Sequence, residues 1–278
     1  MIRLLQIELI KLFHRSRTYL SVGLMLILIA LIFWGLKSEG EKTIDYLLKL
    51  LNNNFIVNGN ILNGYLVIYM ILNTLWIHVP VLIVIVTGDL FSSELEGGTI
   101  RLVGTRPVKR YKLVLVKHLT SVIFVFVFMA IWALLSVWLG FLLFGKGDLA
   151  VVFNGLQILE EKELTWRLIG AFLFAFLGMS SFALFSVAVS FFTRKSLTAI
   201  LIVMGIMVIS TLLQTLAPTL FTGWDRFLLT YHLSQWQLFF YSDLDVNAIM
   251  HSVFWLIGFS IICVFASIVR FNVLKITE

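Results

Sequence analysis

The sequence is poor in charge and nearly free of cysteine. Asp, Glu, Lys and Arg make up 13% of its 278 residues, about half of the usual share in a soluble domain. The single cysteine, Cys263, lies inside an apolar run, so the chain can form neither an internal disulfide nor a Cys-x-x-Cys metal site. Hydrophobic residues make up 60% of the chain, more than a water-soluble core of this size needs. The composition therefore predicts a protein whose outer surface faces lipid.

Motifs that would identify an enzyme are also absent from the sequence. It has no Gly-x-x-x-x-Gly-Lys-Ser/Thr loop for nucleotide phosphates, no His-Glu-x-x-His zinc motif and no Gly-x-Ser-x-Gly nucleophile motif. Its five histidines are scattered, and no pair of them has the spacing of metal ligands. We therefore expect no catalytic residue, no metal ligand and no directly bound cofactor in this chain.

Six long apolar runs can each cross a membrane as a helix, because a bilayer requires about 20 apolar residues per helical span. None of these runs contains Asp, Glu, Lys or Arg. The sequence thus predicts an all-α polytopic membrane protein that forms one domain over residues 1–278. The predicted spans are residues 18–36, 61–87, 118–144, 168–192, 197–221 and 249–269.

Basic residues are unevenly distributed between the two sides that these spans define. Of the 21 Lys and Arg residues, fourteen lie in the segments on the side of the N-terminus, whereas ten of the 15 acidic residues lie on the other side. Because Lys and Arg concentrate in the cytoplasmic segments of membrane proteins, both termini are predicted to be cytoplasmic. The net charge of +6 follows from this bias and requires no nucleic-acid partner.

Residues 1–17 are predicted to form an amphipathic helix at the cytoplasmic membrane interface. Ile2, Leu5, Leu9 and Leu12 share one helical stripe, whereas basic and polar side chains lie on the other side. A basic amphipathic segment next to a span is expected to lie in the interface. The alternative is a simple topogenic signal, whose basic residues would only determine the orientation of the first span.

The three segments on the outer side differ in character. Residues 37–60 are expected to form a short helix before an asparagine-rich turn, and residues 145–167 are expected to be polar and partly helical. Residues 222–248 contain Trp, Tyr and Phe side chains that favour the membrane interface. This last segment is therefore expected to be partly re-entrant, with short helices that dip into the outer leaflet.

A few polar residues lie at membrane depth and are candidates for a transport pathway or for dimer contacts. Asn73 and His78 precede Pro80 in the second span, and Thr211 and Gln214 lie in the fifth. A histidine inside the membrane could relay protons or contact a substrate. The alternative is that Pro80 kinks its helix while these side chains form hydrogen bonds to neighbouring helices.

The most polar part of the chain is the segment after the second span, residues 88–112, which we call the polar loop. Helix is predicted to continue from the span and to stop at Gly97 and Gly98, because glycine is unfavourable in a helix and favourable in a turn. Thr99 can cap a second short helix, and Pro107 suits the turn or the first helical position that follows. The predicted result is a short exposed helix across the cytoplasmic membrane surface, suited to dock in a groove of another protein.

In this loop the sequence resembles the permease subunits of type-two ABC exporters. The family pattern combines an acid, an aromatic, spaced glutamates, Gly-Thr, a short apolar and basic helix, and Thr-Arg-Pro before further basic residues. The matching residues here are Asp89, Phe91, Glu94, Glu96, Gly98, Thr99, Arg101, Thr105, Arg106, Pro107, Arg110 and Lys117. Six spans, cytoplasmic termini and an N-terminal interfacial helix also fit the layout of that family.

The resemblance implies that the short helix is a coupling helix that docks on a separate ATP-hydrolysing subunit. The matching residues from Asp89 to Arg110, together with Gly97, would be the ATPase-coupling residues, and the chain itself would not be an enzyme. ATP and Mg²⁺ would bind to two partner ATPase subunits. A second permease subunit, identical or homologous, would pair around the second and fifth spans in the cytoplasmic membrane of a bacterium or archaeon.

Other classes of membrane protein remain open from the sequence. An ATP-independent transporter or channel would usually carry ionisable groups at membrane depth, and the six predicted spans have no Asp, Glu, Lys or Arg. A membrane scaffold subunit of a larger machine could keep the same fold without transport. No motif identifies the substrate that an exporter of this sequence would carry.

Overall fold

The computed structural model describes residues 1–50, 61–100, 109–152, 156–216, 223 and 225–273. In these ranges the chain is a bundle of helices with one small β-hairpin. The helices are α1 (Ile2–Phe13), α2 (Ser16–Leu50), α3 (Gly64–Leu75), α4 (His78–Thr87), α5 (Ser92–Glu96), α6 (Arg110–Phe144), α7 (Glu161–Phe192), α8 (Ser196–Leu216), α9 (Leu229–Ser234) and α10 (Val246–Val273). The hairpin strands are β1 (Leu149–Val152) and β2 (Leu156–Leu159), and two 3-10 helices flank α9, Asp225–Phe227 and Gln235–Phe240.

Six helices are long and apolar enough to cross a membrane, which confirms the predicted all-α polytopic architecture. Several begin before the predicted spans, because Arg, Lys and Glu are good helix formers and the flanking polar residues continue the helix. The six are Ser16–Gly40, His78–Glu96, Arg110–Phe144, Glu161–Phe192, Ser196–Leu216 and Val246–Val273.

The second predicted span is broken rather than continuous. Helix α3 ends at Leu75, and α4 starts at His78 after a turn at Trp76 and Ile77. Pro80 explains this position, because proline lacks an N–H and its ring clashes with the carbonyl group four residues earlier, that of Trp76. The kink predicted at Pro80 is therefore a helix break just before it, and Pro80 lies in the first turn of α4, where proline is tolerated.

Helix α2 is longer than the first predicted span. The sequence predicts a separate short helix in residues 37–60, but α2 continues without a break to Leu50. Leu, Lys and Glu, which dominate the end of α2, are good helix formers, so nothing ends the helix at the membrane surface. The asparagine-rich turn in residues 51–60 lies outside the described residues.

The segment after α6 forms a β-hairpin, which the prediction of a partly helical segment over residues 145–167 missed. Strands β1 and β2 are antiparallel, with Leu149 opposite Leu159. These two side chains are buried whereas Ile158 is exposed, as expected for alternate faces of a strand. Helical structure resumes at Glu161, where α7 begins.

Helix α1 packs against α6 through only part of its predicted apolar stripe. Leu12 is fully buried, whereas Ile2 at the other end of the stripe is 74% exposed. The chain then breaks at His14 and Arg15 before α2 begins. The C-terminal half of α1 is therefore the part that is fastened to the bundle.

The segment predicted to be partly re-entrant contains three short helical elements, α9 and the two 3-10 helices. Trp236 and Phe240 are buried against the bundle. Arg167 of α7 fastens the end of the segment, since its guanidinium donates hydrogen bonds to the carbonyl oxygens of Phe239 (3.3 Å), Ser242 (3.4 Å) and Tyr241. A guanidinium that is 6% exposed requires such acceptors, because burying a charged group without partners is costly.

The second and fourth spans form the centre of the bundle. In the most apolar 18 residues of each span, 72% of the residues are buried in His78–Glu96 and 56% in Glu161–Phe192. The corresponding share is 22% in the first span and in the last. Helix α7 contacts α4, α6, α8 and α10. Small side chains permit this close approach, and Ser181 of α7 donates a hydrogen bond to the Leu256 carbonyl oxygen of α10 at 3.3 Å. The central position of α4 matters because the polar loop leaves directly from its end.

Candidate functional site: a charge network beneath the polar loop

The described part of the polar loop begins with a tight turn at the end of α4. Gly88 is packed so closely that a β-carbon there would lie 2.9 Å from the Val84 carbonyl oxygen and 3.1 Å from Ile200 Cγ1. The helix predicted to continue from the span is interrupted at residues 88–91. Helix α5 follows and ends at Glu96 with Gly97 as its C-cap, and Gly98 has a positive φ of 66°. This conformation favours glycine, so the predicted helix stop is present.

Asp89 is held by the two arginines that flank the start of α2. Its carboxylate lies 3.0 Å from Arg15 Nη1 and 3.0 Å from Arg17 Nη1, and it accepts a hydrogen bond from the Ser196 hydroxyl. Arg15 also donates to the Ser93 hydroxyl at 3.2 Å. Because the Asp89 side chain is 8% exposed, these donors replace the water that burial removes. The contacts tie the end of α4 to the starts of α2 and α8.

Glu94 lies between two lysines from other helices. Its carboxylate is 2.9 Å from Lys117 Nζ of α6 and 3.1 Å from Lys11 Nζ of α1. The same ammonium groups contact Glu8, Lys117 at 3.0 Å and Lys11 at 2.7 Å, so four charges of alternating sign form a closed ring. Lys117 Nζ also donates to the Leu90 carbonyl oxygen at 2.8 Å. An ammonium has three donors, and all three of Lys117 are therefore used.

The ring shifts the pKa values of its two members on α1. Burial alone would raise the pKa of the Glu8 carboxyl, but the charge of Lys117 and the hydrogen bond and charge of Lys11 outweigh burial and lower it from its ordinary value of 4.5. Burial would likewise lower the pKa of Lys11, but the hydrogen bond to Glu8 and the charge of Glu94 raise it above its ordinary value of 10.5. Both shifts favour the charged forms at neutral pH.

Glu96 connects the loop to the start of α8. One of its carboxylate oxygens accepts the backbone N–H of Ser196 at 2.9 Å. A helix N-terminus has unpaired N–H donors and a partial positive charge, so the carboxylate caps α8. Arg17 adds a hydrogen bond to the Ser196 hydroxyl at 2.8 Å. We call the following nine residues the anchoring network: Glu8, Lys11, Arg15, Arg17, Asp89, Glu94, Glu96, Lys117 and Ser196.

Phe91 packs inside the bundle next to this network. Its ring stacks on that of Phe191 with 3.8 Å between centroids and meets Phe271 edge to face at 5.3 Å. The Lys117 Nζ atom lies 6.0 Å from the Phe91 ring centroid, at the outer limit of a cation–π contact. The aromatic residue of the loop motif therefore contacts α7 and α10.

The structure turns several of the predicted coupling side chains inwards. Asp89, Phe91 and Glu94 are buried, whereas residues 96–99 are exposed. Arg110 donates hydrogen bonds to the last carbonyl groups of α10, those of Phe271 (3.0 Å) and Asn272 (3.1 Å). The described contacts thus give these side chains a positioning role and leave residues 96–99 as the exposed tip of the loop. The predicted short helix and four of its expected coupling residues lie outside the described residues: Arg101, Thr105, Arg106 and Pro107.

Sequence reasoning did not identify the partners of the loop acids. It treats the basic residues before α2 as interface and topology signals, and it gives Ser196 no role. One signal was present, since Glu8 lies on the same face of α1 as Leu5 and Leu12. An acid on an otherwise apolar helical face predicts a buried partner of opposite charge.

Two of the four polar residues at membrane depth contact the segment around α9. Asn73 accepts a hydrogen bond from the Gln237 side-chain amide at 2.9 Å. Gln214 donates one to the Thr230 hydroxyl at 3.0 Å. These contacts join α3 and α8 to the short helices.

Of the other two polar residues, Thr211 bonds within its own helix, and His78 bonds back to α3 across the break. His78 Nδ1 lies 2.9 Å from the Thr74 carbonyl oxygen, and the Thr211 hydroxyl donates to the Met207 carbonyl oxygen at 2.9 Å. A role of these four residues in a pathway or in dimer contacts stays a prediction. Among the described residues, no group of three or more His, Cys, Asp or Glu side chains could hold a metal ion.

The six apolar helices define a multi-pass membrane protein. Residues 23–273 match the family described as "Protein of unknown function (DUF2705)". Because the match covers most of the chain, the chain belongs to that family. No curated protein matches it. Four members of the anchoring network, Glu8, Lys11, Arg15 and Arg17, precede the matched residues.

Proposed function

We propose that this chain is the membrane-spanning permease subunit of an ATP-driven ABC exporter. The observation that carries the proposal is the anchoring of the polar loop, whose motif resembles the coupling loop of type-two ABC permeases. Asp89, Glu94 and Glu96 each contact a different part of the bundle, and the tip at residues 96–99 is exposed. An exposed tip with rigid contacts behind it is suited to transmit force from a partner to the helices.

The anchoring network suggests the route by which this force would spread. A displacement of residues 89–96 would act on α2 through Arg15 and Arg17, on α6 through Lys117, and on α8 through Ser196. Packed helices shift as units because close-packed interiors do not deform continuously. ATP binding would draw two ATPase subunits together beneath the tip, and the attached spans would move relative to a second permease subunit.

The chemistry of ATP hydrolysis belongs to the partner subunits in this proposal. ATP and Mg²⁺ would bind there, and this chain would contribute the translocation pathway together with the second permease subunit. The excess of Lys and Arg near the polar loop and both termini supports a cytoplasmic location for these parts. The complex would lie in the cytoplasmic membrane of a bacterium or archaeon.

Purification of the tagged chain from its native membranes tests the proposal. We expect an ATPase subunit with a Gly-x-x-x-x-Gly-Lys-Ser/Thr loop to co-purify in equal amount, and the complex to release phosphate from ATP. Mass spectrometry identifies the subunits, and a phosphate assay measures the activity. A complex that contains other membrane proteins but no ATPase would contradict the proposal and favour a scaffold. Transport by the chain alone in vesicles would favour an ATP-independent transporter.

A matched pair of substitutions tests the contact with the ATPase. Thr99→Arg places a bulky cation on the exposed tip, whereas Asn247→Arg places the same side chain on an exposed position at the other end of the bundle. We expect Thr99→Arg to weaken ATPase binding about tenfold or more, as truncating or blocking a central interface position does, and to lower ATP hydrolysis accordingly. Asn247→Arg should leave both unchanged. Equal effects of the two variants would place the ATPase contact elsewhere.

A further inference from the structure

An apolar groove runs along the exposed side of α6 and α7. Its volume is about 930 Å³, within the range of roughly 300–1,000 Å³ that small-molecule pockets occupy. Its floor is made of buried side chains, including Met129 and Leu168, which are 4% and 5% exposed. Its walls are ridges of exposed side chains such as Trp138 and Leu173, at 62% and 64%. The groove is therefore a concave apolar surface on two membrane-spanning helices.

One end of the groove is polar. Lys146, the charged residue among those that line the groove, follows directly after α6, and its ammonium lies 5.6 Å from the centre of the Phe141 ring. Tyr65 and Thr165 line the groove as well, and their hydroxyl groups lie 3.0 Å apart. Tyr65 is buried and Thr165 is exposed. Either hydroxyl can donate in this hydrogen bond. When Tyr65 donates, the Thr165 hydroxyl keeps its own hydrogen to donate outwards.

The groove is at least as long as one membrane leaflet is thick. The lining residues run from Thr165 to Phe176 on α7, about 17 Å, and from Phe126 to Leu142 on α6, about 24 Å, at a rise of ~1.5 Å per residue. One leaflet of hydrocarbon is about 15 Å thick, half of the ~30 Å core. At the apolar end the rings of Phe126 and Phe176 meet edge to face, 5.8 Å apart. The groove is therefore long enough for a hydrocarbon chain that starts at its polar end and extends to the midplane.

We propose that the groove holds an acyl chain of one membrane glycerophospholipid, whose phosphate binds the Lys146 ammonium and the Thr165 hydroxyl. No Asp or Glu is among the described residues that line the groove. In this proposal the phosphate supplies an anion for Lys146, and the acyl chain covers the apolar floor. A second copy of this chain fits poorly. A two-fold axis along the membrane normal pairs the same surface patch of two copies, so two concave surfaces would face each other with both Lys146 cations at the same membrane depth. The groove lies far from the polar loop, so this proposal does not depend on the proposed exporter function.

Native mass spectrometry of the full-length chain in a mild detergent tests the lipid site. The chain is titrated with phosphatidylglycerol, and with inorganic phosphate as a probe of the headgroup alone. We expect one phosphatidylglycerol to bind per chain with higher affinity than further lipids, and phosphate alone not to bind. Lys146→Gln should weaken this binding about fivefold, the ratio that corresponds to ~1 kcal/mol per interfacial lysine. Lys162→Gln removes an exposed lysine at the same end that does not line the groove, and it should leave the binding unchanged.

A second pair of variants tests the apolar part of the groove. Ala133→Trp places a large ring inside the groove and should weaken phosphatidylglycerol binding about tenfold or more, because the ring occupies the space of the acyl chain and removes its packing contacts. Ala30→Trp adds the same ring on an exposed face of α2 and should have no effect. If Ala133→Trp does not fold, the phosphatidylglycerol affinity of Lys146→Gln is the test of the proposal. Unchanged lipid binding in the folded groove variants would overturn the proposal, and so would disulfide cross-linking of two copies through Leu134→Cys.

Discussion

Lys117 of α6 and Glu94 of α5 form an ion pair of 2.9 Å with side chains only 4% and 7% exposed. Removing two charges from water costs several kcal/mol per ion, and this cost is recovered only when further polar partners are present. Here Glu8 and Lys11 complete the ring, and the Leu90 carbonyl takes the last Lys117 donor. The polar loop is therefore joined to the third span by a buried ion pair. Replacing only one of its two residues by an apolar residue would leave the other charge buried without this partner.

Replacing Lys117 should destabilise the protein strongly. Lys117→Met leaves the carboxylates of Glu94 and Glu8 with one lysine between them, and losing one partner of a buried pair costs about 3–5 kcal/mol. The control is the ion pair of Lys42 and Glu39, which are 3.0 Å apart and whose side chains are 77% and 62% exposed. Exposed ion pairs contribute about 0–1 kcal/mol to the free energy of unfolding. Thermal unfolding in detergent should show a large loss for Lys117→Met and a small change for Lys42→Met. Similar losses would contradict a buried network.

Stability at acid pH should depend on Glu8. Its pKa is lowered in the folded protein from the ordinary value of 4.5, so the unfolded chain takes up the proton more readily than the folded one. The stabilisation from Glu8 is therefore complete above pH 4.5 and is lost as the pH falls through the lower folded pKa. Unfolding temperatures measured from neutral pH downwards should fall more steeply for the unsubstituted chain than for Glu8→Gln. Parallel profiles for the two proteins would rule out this contribution.

Arg167→Lys should loosen residues 225–242. Lysine keeps the charge, but its ammonium cannot reproduce the planar fork that reaches the Phe239 and Ser242 carbonyls together with the Glu163 carboxylate. Hydrogen–deuterium exchange of the backbone amides in residues 225–242 should accelerate about tenfold or more, while the amides of α6 keep their rates. Lys162→Gln, an exposed change on the same helix, is the control. Unchanged exchange in Arg167→Lys would mean that apolar packing alone holds the segment.

Two glycine-to-alanine changes should have opposite effects on stability. A β-carbon at Gly64 would lie 2.6 Å from the Gly145 carbonyl oxygen and 2.7 Å from Phe141 Cδ1, so the start of α3 would have to move, and overpacking of this kind costs about 1–3 kcal/mol. At Gly23 in α2 nothing lies within 4 Å of the β-carbon, and alanine is up to ~1 kcal/mol more favourable than glycine in a helix. Thermal unfolding should therefore shift down for Gly64→Ala and up for Gly23→Ala. An upward shift for Gly64→Ala would contradict the close packing at α3, and a downward shift for Gly23→Ala would contradict the open space beside α2.

The membrane spans could be predicted because lipid imposes the same length and polarity on every helix that crosses it. The break at Trp76 could not be predicted from hydropathy, since the apolar run continues through it, and only the steric effect of Pro80 marks the place. The hairpin was missed although Asn154 and Gly155 separate two apolar runs. Such a pair favours a tight β turn. The Asn-Gly pair therefore indicates a hairpin, whereas the polar composition of the segment does not.

The polar loop shows where sequence reasoning stops. The helix stop at Gly98 could be predicted because a positive φ is a local property of the backbone. The inward orientation of Asp89 and Glu94 could not, because their partners Arg15 and Lys11 lie 74 and 83 residues away in the chain. Only the folded bundle brings these charges together, and no local pattern distinguishes a buried acid from one that faces another subunit.

The separation between Arg15 and Asp89 also has a consequence during synthesis. Asp89 follows Arg15 by 74 residues, which at about 5–20 residues per second is a delay of roughly 4–15 s. In that interval Arg15 and Arg17 carry positive charge without their later partner, and unpaired basic residues keep a flanking segment in the cytoplasm as a span inserts. The same arginines afterwards bind Asp89. A substitution at either arginine would therefore disturb the insertion of the nascent chain before it disturbs the folded protein.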